Sequence, residues 1–418
     1  MEERIEGILS LPRDEAEDLF FSLTAREQAD LIFAFDNTQR RSWARLLPPD
    51  DMADVLQSIS EEKKNELFLL LDEVTKREVT ALLAYKDDAA GGLMSPRYAR
   101  LRAEMRVDEA ISYLRKQASG QLETLYYIFV LDETQHLLGV ISFRELFLSP
   151  SEKTIQEVMR TDVVKVPEEM PQEEVSRLFA DSGLMAIPVV DSENKMKGIV
   201  TLDDIVDVVQ EEATKDIQKL GGTEALDEPY LQIGFFKMLK KRAGWLAVLF
   251  VGEMLTATAM SYFEDEISKA VILALFVPLI ISSGGNSGSQ ATTLVIRAMA
   301  LQEVRLRDWW RIMRKELVSG FLLGSILGFI GFIRIIIWEK LFHSYGAHYI
   351  ELAFTVSFSL IGVVMFGTFA GSMLPFLLKR LKLDPASASA PFVATLVDVS
   401  GLVIYFTIAS LILRGSIL

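Results

Sequence analysis

PLIISSGGNSGSQATT at 278–293 and PFVATLVDVSGLVIYF at 391–406 decide how this chain is read. Each sits in an apolar stretch long enough to cross a bilayer, which takes roughly 20 residues. Each also carries a polar stripe that a plain lipid anchor does not need. In the first, Asn286, Gln290 and Thr293 fall at i, i+4 and i+7 and share one helical face. Pro278, Gly284 and Gly285 weaken the helix there, and irregular backbone is tolerated at membrane depth only beside protein or a water-filled cavity. Gly284 and Gly288 also have the GxxxG spacing of closely packed helices. In the second stretch, Pro391, Ala394, Thr395, Asp398, Gly401 and Tyr405 occupy one narrow sector. A carboxylate near mid-span costs about 2.5–3.5 kcal/mol on insertion scales, so Asp398 is expected to face protein or water and to mark an ion or proton path. The blander alternative is a structural pair with Arg297 or Arg334. Glu253 is a second, weaker candidate.

Five stretches are long and apolar enough to span, at about 243–263, 270–296, 317–338, 352–378 and 391–413. Basic flanks alternate with non-basic ones. Lys237, Lys240, Lys241 and Arg242 precede the first span, Arg305, Arg307, Arg311, Arg314 and Lys315 follow the second, and Lys379, Arg380 and Lys382 follow the fourth. The positive-inside rule then predicts a multi-pass protein of the inner or plasma membrane. Its N-terminus is cytoplasmic and its C-terminus, after Arg414, is outside. The start, MEERIEGILSLPRDEAED, lacks the basic and apolar regions of a signal peptide.

The charge is split along the chain. Residues 1–242 carry 30 Lys and Arg against 47 Asp and Glu, whereas residues 243–418 carry 13 against 11. An acidic soluble body attracts cations and argues against nucleic acid as a partner. With no Cys and three scattered His there is no disulfide framework, Cys–zinc site or thiol nucleophile. H-E-x-x-H and G-x-x-x-x-G-K-[ST] are both absent, so neither a zinc protease nor a phosphate-cradling pump is indicated, and the chain is expected not to be an enzyme.

Residues 1–92 read as a run of short amphipathic helices, with Pro48-Pro49 punctuating two of them. A repeat follows: MSPRYARLRAEMRVDEAISYL from Met94 aligns with MRTDVVKVPEEMPQEEVSRLF from Met159, and YYIFVLD and GVISFREL are matched by AIPVVD and GIVTLDDI. Two units, 93–153 and 154–202, pack as a pair with clefts between them, and they resemble a tandem cystathionine-β-synthase (CBS) pair. Residues 203–222 form an acidic helix with Asp204, Asp207 and Glu211 on one stripe and Glu212 and Asp216 on the next. Such like-charge stacking destabilises a helix, and a divalent cation with oxygen ligands relieves it. A connector, 223–242, leads to the membrane region, 243–418. The fold class is thus a multidomain membrane protein: an all-α superhelical N-domain, an α/β CBS pair and an α-helical five-span domain.

This order, together with PLIISSGGNSGSQ and DPASASAPFVATLVDVSG, resembles the MgtE family of magnesium channels over essentially the whole chain. The resemblance implies a homodimer with one Mg²⁺ pathway formed by the second and fifth spans. It implies closure by intracellular Mg²⁺ bridging acidic groups of the cytosolic domains, and ATP as a modulator. By the same resemblance the pore residues fall on Asp398, Ala394, Asn286 and, at the cytosolic mouth, Asp384. The sensing carboxylates fall on Asp87, Asp88, Asp204, Asp207, Glu212 and Asp216, with Glu211 on the same helix. The ATP contacts fall on Tyr127, Arg144 and Glu145. Lys215 stands where relatives can place an acid, Glu145 where Asp is usual, and Ala390 where Asn can occur. A broader transporter of Co²⁺ or Ni²⁺ and a nucleotide-sensing membrane protein are the competing readings. Oxygen-only ligands favour the hard ion.

Overall fold

The computed structural model describes residues 7–8, 10–118, 122–226, 228, 230–231 and 233–414. The chain divides into two compact units, Met1–Glu212 and Ala213–Leu418. The end after Arg414, expected outside the cell, lies beyond the described residues.

From Arg13 the first unit runs through α1 (Arg13–Phe21), α2 (Ala25–Ala34), α3 (Asn37–Ala44), α4 (Pro49–Gln57), α5 (Glu61–Leu70) and α6 (Glu73–Leu82). Their N-caps are Pro12, Thr24, Asp36, Pro48, Ser60 and Asp72, one every twelve residues. Thr24 and Glu27 close a reciprocal capping box, and the Asp36 and Asp72 carboxylates each accept two backbone N–H groups. Eight to ten helical residues followed by a short capped turn bring each apolar face back to one core, where Phe20, Ile32, Met52, Leu56 and Leu67 are fully buried.

After α7 (Ala90–Leu93) come the two repeat copies. The first holds β1 (Tyr98–Leu101), α8 (Val107–Gln117), β2 (Thr124–Leu131), β3 (Leu137–Ser142) and α9 (Phe143–Leu148). After α10 (Ile155–Val158), the second holds β4 (Val166–Pro167), α11 (Gln172–Ser182), β5 (Ala186–Val190), β6 (Met196–Thr201) and α12 (Leu202–Leu220). Each sheet has one parallel and one antiparallel pairing, in sequence order. The copies exchange edges. Ser95 bridges to Ile199 of β6, and Arg160 bridges to Val140 of β3. Chain on both sides of the expected 153/154 boundary therefore serves both sheets. The second copy also shares one core with the N-terminal helices, through Val175, Phe179, Val189 and Val200, whereas the first closes its own around Val107, Leu114, Ile128 and Ile141.

The second unit holds α13 (Phe235–Tyr262), α14 (Glu264–Lys269), a 3₁₀ turn (Val271–Phe276), α15 (Val277–Ala300), α16 (Trp309–Phe342), α17 (Tyr349–Arg380) and α18 (Ala390–Leu413). Among the described residues five helices, α13 and α15 to α18, are long and apolar enough to cross a membrane. Helix α13 begins at Phe235, inside the stretch expected to be a connector.

The expectation of broken backbone around Pro278, Gly284 and Gly285 is corrected: α15 runs unbroken through all three. Pro278 lies in the first turn, where its missing N–H costs nothing. The glycines serve packing. Gly284 and Gly288 of α15 face Gly367 and Gly371 of α17. A Cβ on Gly367 would strike the Gly284 carbonyl oxygen, and one on Gly371 the Gly288 oxygen. Thr292 seals the contact by donating to the Gly288 and Gly371 carbonyls, each at 2.9 Å. Backbone meets backbone here, so no side chain can move aside. Gly371→Ala is expected to cost about 1–3 kcal/mol, the range of overpacked cores. It should appear as a lower unfolding temperature of the detergent-purified protein, and an unchanged temperature would show that the helices can part.

Candidate functional site

Helices α13, α15 and α18 carry Glu253, Asn286, Ala394 and Asp398 to the wall of one cavity of about 400 Å³. The small residues of both sequence stripes make room for it: Ser282, Gly285 and Ser289 from α15 complete the wall. Gly285 and Ala394 pack at ordinary van der Waals distance, 3.7 Å from a Cβ position to the Ala394 atoms. Thr256 adds a buried Oγ1 with no partner.

Asp398 is half-buried, and Glu253 lines the same cavity as its neighbouring carboxyl. Two carboxyls on one wall repel each other at membrane depth, and a cation between them relieves that repulsion. The bland alternative for Asp398 is not realised. Arg334 lies over the rings of Trp338 and Phe276, at 5.1 and 5.9 Å, and reaches the Tyr345 hydroxyl at 3.5 Å. Arg297 is exposed in the last turn of α15.

The polar sector of α18 divides in two. Ala394 and Asp398 face the cavity, whereas Gly401 packs against Val363 and Tyr405 is fully buried, its hydroxyl donating to the Leu273 carbonyl at 2.8 Å. Asp384 is not on the cavity wall. Its carboxylate caps the turn Pro385–Ser387 by accepting from the Ala386 N–H at 2.9 Å, and it pairs with Lys219 at 2.5 Å. Glu253, the weaker candidate in the sequence, lines the same cavity as Asp398. Its signal was a lone acid within an apolar span.

In the first unit the expected sensing residues separate. Asp87, Asp204, Asp207 and Glu211 lie within electrostatic reach of α4, whose Asp50, Asp51 and Asp54 sequence reading passed over. Glu123 and Asp203 join the same zone. Asp88 is exposed, and Glu212 accepts from the Gln172 amide at 2.6 Å. In the second unit, Asp216 is half-buried on α12. Asp87 accepts from Gln57 at 2.6 Å, and Asp204 caps α12 by accepting from the Thr201 hydroxyl at 2.5 Å. The signal for α4 was there to be read: Asp50 falls on its apolar side, with Met52, Ala53, Val55 and Leu56. Its Oδ1 is buried without a partner.

Burial, then mutual repulsion, raises these groups. Desolvation lifts Asp50 well above the usual carboxylate range, with Glu123, Asp204 and Asp51 adding to it. Asp51 rises to about 6 through desolvation and then through Glu123, Asp203 and Asp207. Asp54 keeps a solvent-facing edge, yet the dense surroundings and then Asp51, Asp87 and Glu211 bring it to about 7. Asp204 reaches about 7 for the same first cause, against the pull of its Thr201 bonds. Among the described residues no three of these side chains converge closely enough to clasp a bare ion.

A stability prediction follows. Groups with a raised folded pKa contribute stability below their unfolded value, near 4, and lose it as pH rises through the folded value. With a chelator present, stability of the first unit is expected to fall between about pH 4 and 7, the upper end set by Asp54 and Asp204. Urea unfolding of residues 1–212 within the full chain, followed by hydrogen exchange at each pH, checks this. A flat profile would mean the carboxylates are well solvated.

In the first repeat copy, Tyr127 is half-buried opposite Ser142 across β2 and β3, and Arg144 is exposed. Glu145 is committed locally. Its Oε2 accepts from the Ser142 hydroxyl at 2.7 Å and N–H at 3.1 Å, and its other oxygen pairs with Arg160.

Comparison with known proteins places this geometry. A family model described as a divalent cation transporter matches residues 277–408, a CBS domain model matches 155–211, and an MgtE intracellular N domain model matches 1–88. The chain is similar to a protein of Thermus thermophilus named magnesium transporter MgtE, at 40% identity over 99% of this chain and 90% of that one. It is similar to the protein of that name from Enterococcus faecalis, at 31% identity over 98% and 96%. A crystal structure of the cytosolic domain of the Mg²⁺ channel MgtE in complex with ATP covers 50% of this chain and 84% of its own, at 40% identity and a TM-score of 0.47. With near full-length identity of 40% to a relative and five helices able to cross a membrane, this chain is a multi-pass membrane protein belonging to the MgtE family of transporters.

Proposed function

We propose that this chain is the protomer of a homodimeric, Mg²⁺-selective channel that takes up Mg²⁺ and closes when intracellular Mg²⁺ is high. The observation that carries this is the cavity uniting Asp398, Asn286, Ala394 and Glu253 in the membrane unit. Its full-length relatives are named magnesium transporters. Mg²⁺ dehydrates reluctantly and is held through a few carboxylates while keeping several waters. Carboxyl, amide and hydroxyl groups around about 400 Å³ suit such a hydrated ion. Binding firm enough to select and loose enough to release is what conduction needs.

The dimer is supported by what a single chain leaves uncovered. Asn286, Gln290 and Thr293 are exposed on α15, and polar side chains facing lipid are costly. None of the 28 residues of α13 is buried. A second copy against this face covers both and supplies a second Asp398. Orientation follows the basic loops, with the first unit in the cytosol. There, the carboxylates of α4 and α12 repel one another until Mg²⁺ bridges them, which makes a compact closed state the Mg²⁺-bound one. Asp384, held by Lys219, sits at the cytosolic entrance in this reading. ATP is proposed to bind the first repeat copy beside Tyr127 and Arg144, and Glu145 contributes only on leaving Ser142 and Arg160. ATP titration of Glu145→Ala against the intact chain tests that contribution.

The governing experiment is ion flux into liposomes holding the purified protein, with internal Mg²⁺ varied and Co²⁺, Ni²⁺ and Ca²⁺ as competitors. Mg²⁺ entry that falls as internal Mg²⁺ rises supports the proposal. Entry of Co²⁺ or Ni²⁺ in preference to Mg²⁺ replaces it with a broader divalent transporter. Absence of flux at every Mg²⁺ level and voltage overturns it.

A further inference from the structure

A second, larger cavity of about 830 Å³ lies away from the ion site, between the start of α16, the last turns of α17 and the outer face of α18. Its wall is apolar and aromatic, with Trp309, Phe366, Phe369, Met373, Leu377 and Leu396. Its mouth is not: Arg307 and Arg380 line it as well. Both arginines are exposed, and among the described residues neither guanidinium has an acidic partner. Helix ends of one membrane side meet here, because α16 starts and α17 ends at the same face of the bundle. Exposed Trp309 and Trp310 mark that level as headgroup depth, where aromatic belts lie.

We infer that this groove seats an anionic phospholipid. Its phosphate is held between Arg307 and Arg380, and one acyl chain runs along Phe369, Met373 and Leu396. Three observations select this occupant. The volume falls in the ~300–1,000 Å³ range of ligand clefts, more than a surface furrow offers. A guanidinium is a bidentate phosphate donor, and two of them without acids favour an anionic headgroup over a zwitterionic one. The apolar wall continues from the charged mouth toward the hydrocarbon region, which matches a lipid's division into head and tail. Leu396 lies two residues from Asp398 on another face of α18, so the bound lipid braces the back of the helix that lines the ion site.

The test is lipid retention by the full-length protein, read by native mass spectrometry after extraction from nanodiscs of equal phosphatidylcholine and phosphatidylglycerol. The intact chain is expected to retain phosphatidylglycerol over phosphatidylcholine by at least tenfold. Arg307→Gln with Arg380→Gln should remove that preference, and Leu396→Trp should reduce retention of the whole lipid by filling the groove with both charges in place. The double Lys variant should keep most of the preference, which separates loss of charge from loss of fold. Equal retention by the intact and double Gln proteins overturns the proposal. So does full displacement by millimolar inorganic phosphate, which would mark a free-anion site. A disulfide formed between copies through Ala370→Cys would overturn it too, because a second chain would then fill the groove.

Discussion

Asp398→Ala is expected to abolish Mg²⁺ entry, lowering flux a hundredfold or more while the protein keeps the size of the intact chain in detergent. A hundredfold corresponds to about 3 kcal/mol of lost ion stabilisation, at 1.4 kcal/mol per factor of ten. The size follows from position. In the cavity shared by α13, α15 and α18, Asp398 and Glu253 are the ionisable side chains. A partly dry site strengthens each remaining charge interaction relative to water. Asp398→Asn keeps the shape and removes the charge, and is expected to fall nearly as far. Glu253→Gln leaves Asp398 in place and should cost about five- to tenfold, roughly 1–1.4 kcal/mol. Liposome flux at fixed voltage measures all three. Flux indifferent to Asp398 would move the pathway elsewhere in the membrane unit.

The second large effect is expected in closure. Asp51→Asn with Asp54→Asn removes two carboxylates from the zone shared with Asp87, Asp207 and Glu211. Moving a two-state balance from 1:99 to 99:1 takes about 5.5 kcal/mol of differential affinity. That sum comes from several weak contacts, so deleting two should raise the internal Mg²⁺ needed for half-closure by about tenfold or more, or ~1.4 kcal/mol. Maximal flux at low Mg²⁺ should stay as in the intact chain. The same variant should be more stable than the parent in chelator at neutral pH, because repulsion and the desolvation of two charges are gone. The pair of readouts is decisive: greater apo stability with an unchanged closure midpoint would leave the acidic zone structural.

The polar stripes were legible because membrane depth makes polar residues expensive. Asn286 and Asp398 stand out in sequence for that reason, and they meet in one cavity. The acidic helix was legible as a pattern, but its partners were not. Asp50, Asp51 and Asp54 belong to another helix some 150 residues away, and nothing local marks them except an acid on an apolar face. Glu145 shows the reverse case. It sits at the N3 position of a capping box, so its local role was written in Ser142-x-x-Glu145, while the family resemblance drew attention to a ligand.

By itself, the sequence determined the five apolar stretches, the strand–helix repeat and the acidic character of the first unit. These depend on hydropathy, period and charge, which are properties of consecutive residues. Tertiary structure alone decided that the glycines of 284–288 pack backbone to backbone against 367–371 rather than breaking a helix. It also decided that the repeat copies trade edge residues, that Arg334 stacks on aromatics instead of answering Asp398, and that Glu253 shares the cavity wall with it. The physical reason is common to all four. Each depends on which surfaces touch after the chain folds back over tens to hundreds of residues, and contact at that range is set by packing among whole helices, which no local pattern encodes.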